Sequence, residues 1–177
     1  MDSTTKLGLG AAVVATVLLV MAAFSSSWLI GENYGIKSEV GLRSVNICAD
    51  ESNCENVDLS TWAESPYAPK GLSTYITLGT ISFFAALLTA GFMLVLLGYG
   101  VRGKAPRWPV HPGSMALLLS IALLIVGVLT LALHPFKSAG WGTGPGFMML
   151  GGGDVAALVA ALFLGRSVPT SEDEWFE

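Results

Sequence analysis

The sequence is short of charge. Only 12% of its 177 residues are Asp, Glu, Lys or Arg, where a soluble domain of this size carries about 25%. That deficit excludes ordinary soluble enzymes and disordered regulators. Basic excess is missing too: nine Lys and Arg stand against thirteen Asp and Glu, a formal net charge of −4. A nucleic-acid binder needs a basic face, so that class is excluded. Metal-ligating residues are scarce. There are two cysteines and two histidines, with no C-x-x-C spacing and no His/Cys/carboxylate cluster, so a zinc or iron centre has no ligand set. The phosphate-cradling G-x-x-x-x-G-K-[ST] run is absent. Ser25 to Ser27 lack a neighbouring base, so a nucleophilic serine is not expected. No cofactor and no catalytic residue are predicted.

What is present is hydrocarbon. Mean hydropathy is +0.64, and four apolar stretches run from about residue 7 to 30, 71 to 97, 113 to 133 and 146 to 165. Each reaches the roughly 20 residues that cross a hydrocarbon core about 30 Å thick. Backbone groups cannot go unpaired in lipid, so each is expected as a helix. Continuous runs rather than short alternating ones exclude a barrel. The first run, Leu7 to Phe24, exceeds the apolar core of a signal peptide and is expected as a retained helix. The predicted fold class is therefore an all-α membrane protein. It is a single domain over residues 1–177: a four-helix bundle, left-handed overall, with a small disulfide-bonded sheet in its first loop.

Loop charge predicts orientation. Arg102, Lys104 and Arg107 lie between the second and third runs without an acidic residue, which places that turn in the cytoplasm by the positive-inside rule. Both termini, including the acidic tail 166–177, are then cytoplasmic, and loops 31–70 and 134–145 face outside. His111 and His134 fall on opposite sides of the membrane and cannot share a metal. Trp28, Trp62, Tyr67, Tyr75, Trp108 and Trp141 lie near expected helix ends, where aromatic rings anchor at headgroups.

Both cysteines, Cys48 and Cys54, fall in the outer loop, the oxidising side, where a disulfide persists. Five intervening residues suit a bridge across a hairpin. Around it, Ile36, Ser38, Val40 and Leu42 alternate with polar residues, as do Val57, Leu59 and Thr61, and both segments are expected as strands. The loop is acidic. Glu55, Asp58 and Glu64 follow the second cysteine and form either a plain solvated surface or one that draws cations or a basic partner.

Two features mark the fourth run. Gly153, Ala157, Ala161 and Gly165 recur every four residues, a small-residue stripe that lets helix backbones approach closely. The stripe packs either against this protein's own helices or against a partner. Asp154 is the one acidic residue inside a run. It lies roughly 12 Å past Gly146 at about 1.5 Å per residue, near the midplane. A charge there is expensive, and no Lys or Arg lies within a run to pair with it. Thr16 and Ser82, at comparable depths, are its expected hydrogen-bond partners. Asp154 holds the bundle together, contacts a polar group on a partner, or lies on an ion or proton path.

Four helices with a long first loop and a short third, Trp28 closing the first run, Gly41-Leu42 ahead of Cys48, and then Cys54 together resemble the claudin and peripheral-myelin-protein superfamily. Arg43 stands where the family signature has its second Trp, and Cys48 lies two residues further from Gly-Leu than usual, which marks a distant relative. The resemblance implies a tetraspan protein working by association. Its partners are other integral membrane proteins, as for accessory subunits of receptors and channels, or copies of itself. It also implies that Glu55, Asp58 and Glu64 correspond to carboxylates that tune the charge selectivity of a pore.

Overall fold

Helices form where the apolar runs predict them. In the computed structural model α1 spans Ser3–Phe24, α3 Leu72–Arg102, α4 Pro112–Ala132 and α5 Pro145–Ser167. All four are long and apolar enough to cross a membrane. The structure describes residues 3–33, 36–50, 53–66, 68–102, 112–136 and 140–167. The expected cytoplasmic turn with Lys104, Arg107, Trp108 and His111, Tyr67, and most of the acidic tail lie outside the described residues.

The first run does not stay helical to residue 30. α1 stops at Phe24, and Leu29–Asn33 forms strand β1. Three consecutive serines, 25–27, follow the helix. Their hydroxyls compete for backbone groups and weaken helix continuation. Ser25 Oγ accepts from the backbone N–H of Ser27. The chain then joins a sheet, with Trp28 N–H donating to the Val40 carbonyl at 2.8 Å.

That sheet contains β1, β2 (Ile36–Val40), β3 (Ser44–Asp50), β4 (Asn53–Asp58) and β5 (Trp141–Thr143), in the order β4-β3-β2-β1-β5. All four pairings are antiparallel. The first loop alone does not complete it, because the short segment after α4 adds the fifth strand. Leu59 and Thr61 are not strand residues. They lie in a five-residue helix, α2 (Leu59–Ala63), because Asp58 caps it: the Asp58 side chain accepts from the Ser60 N–H. Leu42 lies beyond β2, in the bend that leads to β3.

The chain forms two compact units. The first comprises residues 1–20, 85–124 and 151–177. Its core is alanine-rich: Ala12, Ala15, Met93, Leu96, Ala116, Ala157, Ala160, Ala161 and Leu164. The second comprises residues 21–84 and 125–150. It holds the sheet over a core of Leu29, Val40, Val45, Leu59, Leu72, Tyr75 and Phe136. Around Phe136, Trp62 and Trp141 stack at 5.8 and 4.7 Å and Tyr75 meets it edge-on at 6.1 Å.

On α4 the buried positions alternate three and four apart: Gly113, Ala116, Ser120, Leu123, Gly127 and Thr130. On α3 Leu72, Tyr75, Gly79, Ser82, Ala86, Thr89, Met93 and Leu96 follow the same repeat, with Phe83 and Ala90 buried beside it. A repeat of about 3.5 residues marks one inward face along each of these helices. The outward positions are large and apolar. Phe24, Phe84, Leu118, Met148 and Val155 are all more than 60% exposed.

Candidate functional site

The small-residue stripe faces inward. Ala157 and Ala161 belong to the core of the first unit. A Cβ added at Gly153 would lie 3.0 Å from Leu19 Cγ and 3.1 Å from Leu18 Cβ. Gly165 continues α5 beyond them. At Gly153, Ala157 and Ala161 the stripe is thus occupied by this chain's own helices, because glycine and alanine let α1 and α5 come together there.

Asp154 is 1% exposed in that same unit. Among the described residues neither carboxylate oxygen has a hydrogen-bond partner. The expected pairing with Thr16 and Ser82 is not made. Thr16 gives its hydroxyl hydrogen to the Ala12 carbonyl at 2.8 Å. Ser82 pairs with Thr130 at 3.0 Å, and since Thr130 donates to the Val126 carbonyl at 2.8 Å, Ser82 is the donor between them. Helix geometry is the cause: a Thr hydroxyl reaches the carbonyl four residues back within its own helix. Sequence reasoning missed three buried hydroxyls. Thr130 holds Ser82. Thr89 donates to Ala85. Ser120, fully buried in the first unit, has an Oγ without a partner among the described residues. Their place in the helical repeat was the available signal. Buried polar atoms without partners are rare in folded proteins, so Asp154 and Ser120 stand out in the first unit.

In the second unit Cys48 and Cys54 form a disulfide across the β3–β4 hairpin, directly opposite one another in register. The register is irregular between Cys48 and Asp50. β4 is an edge strand, and its residues are exposed except for half-buried Val57. Glu55 sits on it, opposite Ile47. Asp58 ends it and accepts from the Ser60 N–H at 2.8 Å and the Ser60 hydroxyl at 2.6 Å. The two Ser60 hydrogen bonds, with help from the Arg43 charge, hold its carboxyl below the ordinary value of 3.8. Glu64 is exposed at the far end of α2. The three carboxylates are therefore spread along β4 and α2, and Asp58 is committed to capping.

Trp28, Gly41 and Leu42 meet structural demands. Trp28 is 2% exposed and Tyr75 is 1% exposed. Both expected headgroup anchors are thus packed within the protein. Trp28 stands edge-on to Phe147 at 6.2 Å. Gly41 accepts a 3.1 Å hydrogen bond from the Tyr75 hydroxyl. Leu42 is buried, its carbonyl close against Gly79 of α3. Among the described residues no group of three His, Cys, Asp or Glu side chains could hold a metal ion. Neither protein-family models nor curated protein sequences match this chain.

Proposed function

We propose that this is an integral membrane protein of four spans that acts without catalysis, by protein–protein association, as an accessory or stabilising subunit of a larger membrane complex. Support for the membrane comes from the helix surfaces. Every buried hydroxyl and much of the alanine face inward beside Leu and Met, while large apolar side chains such as Phe24, Phe84, Leu118, Met148 and Val155 also cover the outside, an apolar surface larger than soluble monomers carry. The basic turn then lies in the cytoplasm and the sheet outside.

The observation that carries association is the edge of β4, which no other described strand pairs. It is six residues long and almost wholly exposed, and it is stiffened by the disulfide to β3. An unpaired strand edge is a ready surface for another chain. Extraction in mild detergent, native-gel separation and mass spectrometry test the reading. A stoichiometric, unrelated membrane protein is the expected companion, weakened by Glu55→Lys on the edge. A band that holds only this chain, in cross-linked samples too, favours claudin-like self-association through the same sheet, the reading suggested by Trp28, Gly41, Leu42 and the disulfide. The third reading, an ion or proton path through Asp154, rests on its unpartnered carboxylate alone.

A further inference from the structure

The bend between β2 and β3 carries an exposed arginine against an apolar helix. Gly41 N–H closes the bend on the Ser44 carbonyl, and the Arg43 carbonyl accepts from Leu59 N–H. The Tyr75 hydroxyl and the Gly79 backbone hold the preceding residues against α3. With its backbone so fixed, Arg43 places its guanidinium 5.6 Å from the centre of the Phe83 ring. Phe83 is the middle of an aromatic group: Phe24 meets it edge-on at 5.4 Å and Phe84 at 5.3 Å. Phe24 and Phe84 are 69% and 63% exposed.

Helix arithmetic gives this group its level. Phe83 precedes Arg102 by nineteen positions with no charged residue between them, about 28 Å at ~1.5 Å per residue. On α1, Phe24 follows Lys6 by eighteen positions, again with none between, about 27 Å. Both lengths match a hydrocarbon core of about 30 Å. Each helix thus has a basic residue at one boundary and a Phe of this group at the other, and Arg43 sits over that second boundary. Two carboxylates of the sheet have hydrogen-bond partners of their own, and Asp58 also feels the Arg43 charge. Asp58 uses Oδ1 for Ser60, and Glu39 accepts from the Ser27 hydroxyl.

We propose that Arg43, seated on Phe83 at the top of the Phe24/Phe83/Phe84 belt, binds the phosphate of a membrane phospholipid headgroup. A guanidinium fork matches phosphate oxygens in pairs, and the exposed rings of Phe24 and Phe84, on either side of buried Phe83, receive the acyl chains. The inference rests on the membrane reading and goes beyond it, because it assigns a ligand to a single residue.

The test uses the full chain in phosphatidylcholine vesicles containing phosphatidic acid with a photo-crosslinking group near its headgroup, and labelled peptides are mapped. Labelling around residues 24, 43 and 83–84 is expected for phosphatidic acid and not for the diacylglycerol analogue, which has no phosphate. Arg43→Gln should lower it about fivefold, the factor given by roughly 1 kcal/mol per basic residue near an anionic surface. Arg43→Lys should keep part of it, and Lys70→Gln should leave it unchanged. Unaltered labelling in Arg43→Gln, or an equal loss in Lys70→Gln, overturns the proposal. So does displacement by excess inorganic phosphate, which makes the site one for free phosphate. Release of the chain by alkaline carbonate sinks the membrane reading itself. Retention without phosphate-dependent labelling sinks only this inference.

Discussion

The indole Nε1 of Trp28 donates a 2.7 Å hydrogen bond to the carbonyl oxygen of Ala22, in the last turn of α1. The same carbonyl accepts the Ser25 backbone N–H at 3.3 Å, so the indole is its second and shorter partner, and it fixes the angle at which the chain leaves α1 for the sheet. Trp28→Phe keeps most of the ring volume and loses the bond, so it should cost about 1 kcal/mol. Trp28→Ala also opens a cavity and should cost roughly 3–5 kcal/mol. Denaturant titration in detergent, followed by far-ultraviolet dichroism, separates the two. Equal losses would deny the hydrogen bond any role.

Closing the short loop between Cys48 and Cys54 stabilises the hairpin by roughly 2 kcal/mol on the chain-entropy model. Reduction, or Cys48→Ser with Cys54→Ser, should therefore speed amide exchange in β3 and β4. The slow exchange of α3 and α5 should stay as it is. Exchange that accelerates equally in the helices would mean that the disulfide supports the whole chain.

A buried carboxylate without a donor destabilises the first unit, and Asp154 is one. Asp154→Asn keeps the shape and removes the charge. It should leave stability unchanged or raise it by about 1–2 kcal/mol, read from unfolding in detergent. Proton or cation flux in proteoliposomes gives the opposing result: flux in the wild type that Asp154→Asn abolishes would assign the residue to a conduction path.

Two small residues leave no room for a larger side chain. At Gly144 an added Cβ would collide with the Ser27 carbonyl oxygen, so Gly144→Ala should separate β5 from β1 and destabilise the sheet, as overpacking does. In the first unit, Ala157→Leu overpacks a filled core and should cost about 1–3 kcal/mol. Because Ala157 is internal, the loss should appear in thermal stability of the isolated chain. Normal stability with a lost companion protein would return the stripe to a partner interface.

Asp58 sets a pH response in α2. Its carboxyl is held below the ordinary value by the Ser60 hydrogen bonds, so its contribution is complete above the unfolded value and disappears as pH falls through the lower folded value. Exchange of the Ser60 and Thr61 amides should therefore quicken, relative to the intrinsic rate, only in acid below about pH 4. Asp58→Ala should cost about 1 kcal/mol at neutral pH and remove the acid dependence, while Asp58→Asn should retain the cap. An acid response that persists in Asp58→Ala would place its origin elsewhere.

Much of this protein is legible in local chemistry. The four apolar runs became α1, α3, α4 and α5 because a long stretch without charge and with paired backbone groups has few alternatives to a helix. Cys48 and Cys54 were readable as a hairpin bridge because they are near neighbours in the chain. The three serines after Phe24 carried a stop signal that the hydropathy of Trp28, Leu29 and Ile30 obscured, and the Asp58–Ser60 cap was present in the sequence as a helix start.

Other features depend on what folding brings together. Trp141 to Thr143 became a strand only because β1 offered an edge. Trp28 and Tyr75 turned inward because a carbonyl waits for each, on Ala22 and Gly41. Ser82 was drawn to Thr130 on another helix, while Asp154 is buried without a hydrogen-bond partner among the described residues. Composition and periodicity determined which segments are helices and which faces are apolar, since those follow from solvation of each segment by itself. The choice of hydrogen-bond partner was left to the tertiary structure, because every hydroxyl has a carbonyl of its own helix within reach and only packing decides what else comes near.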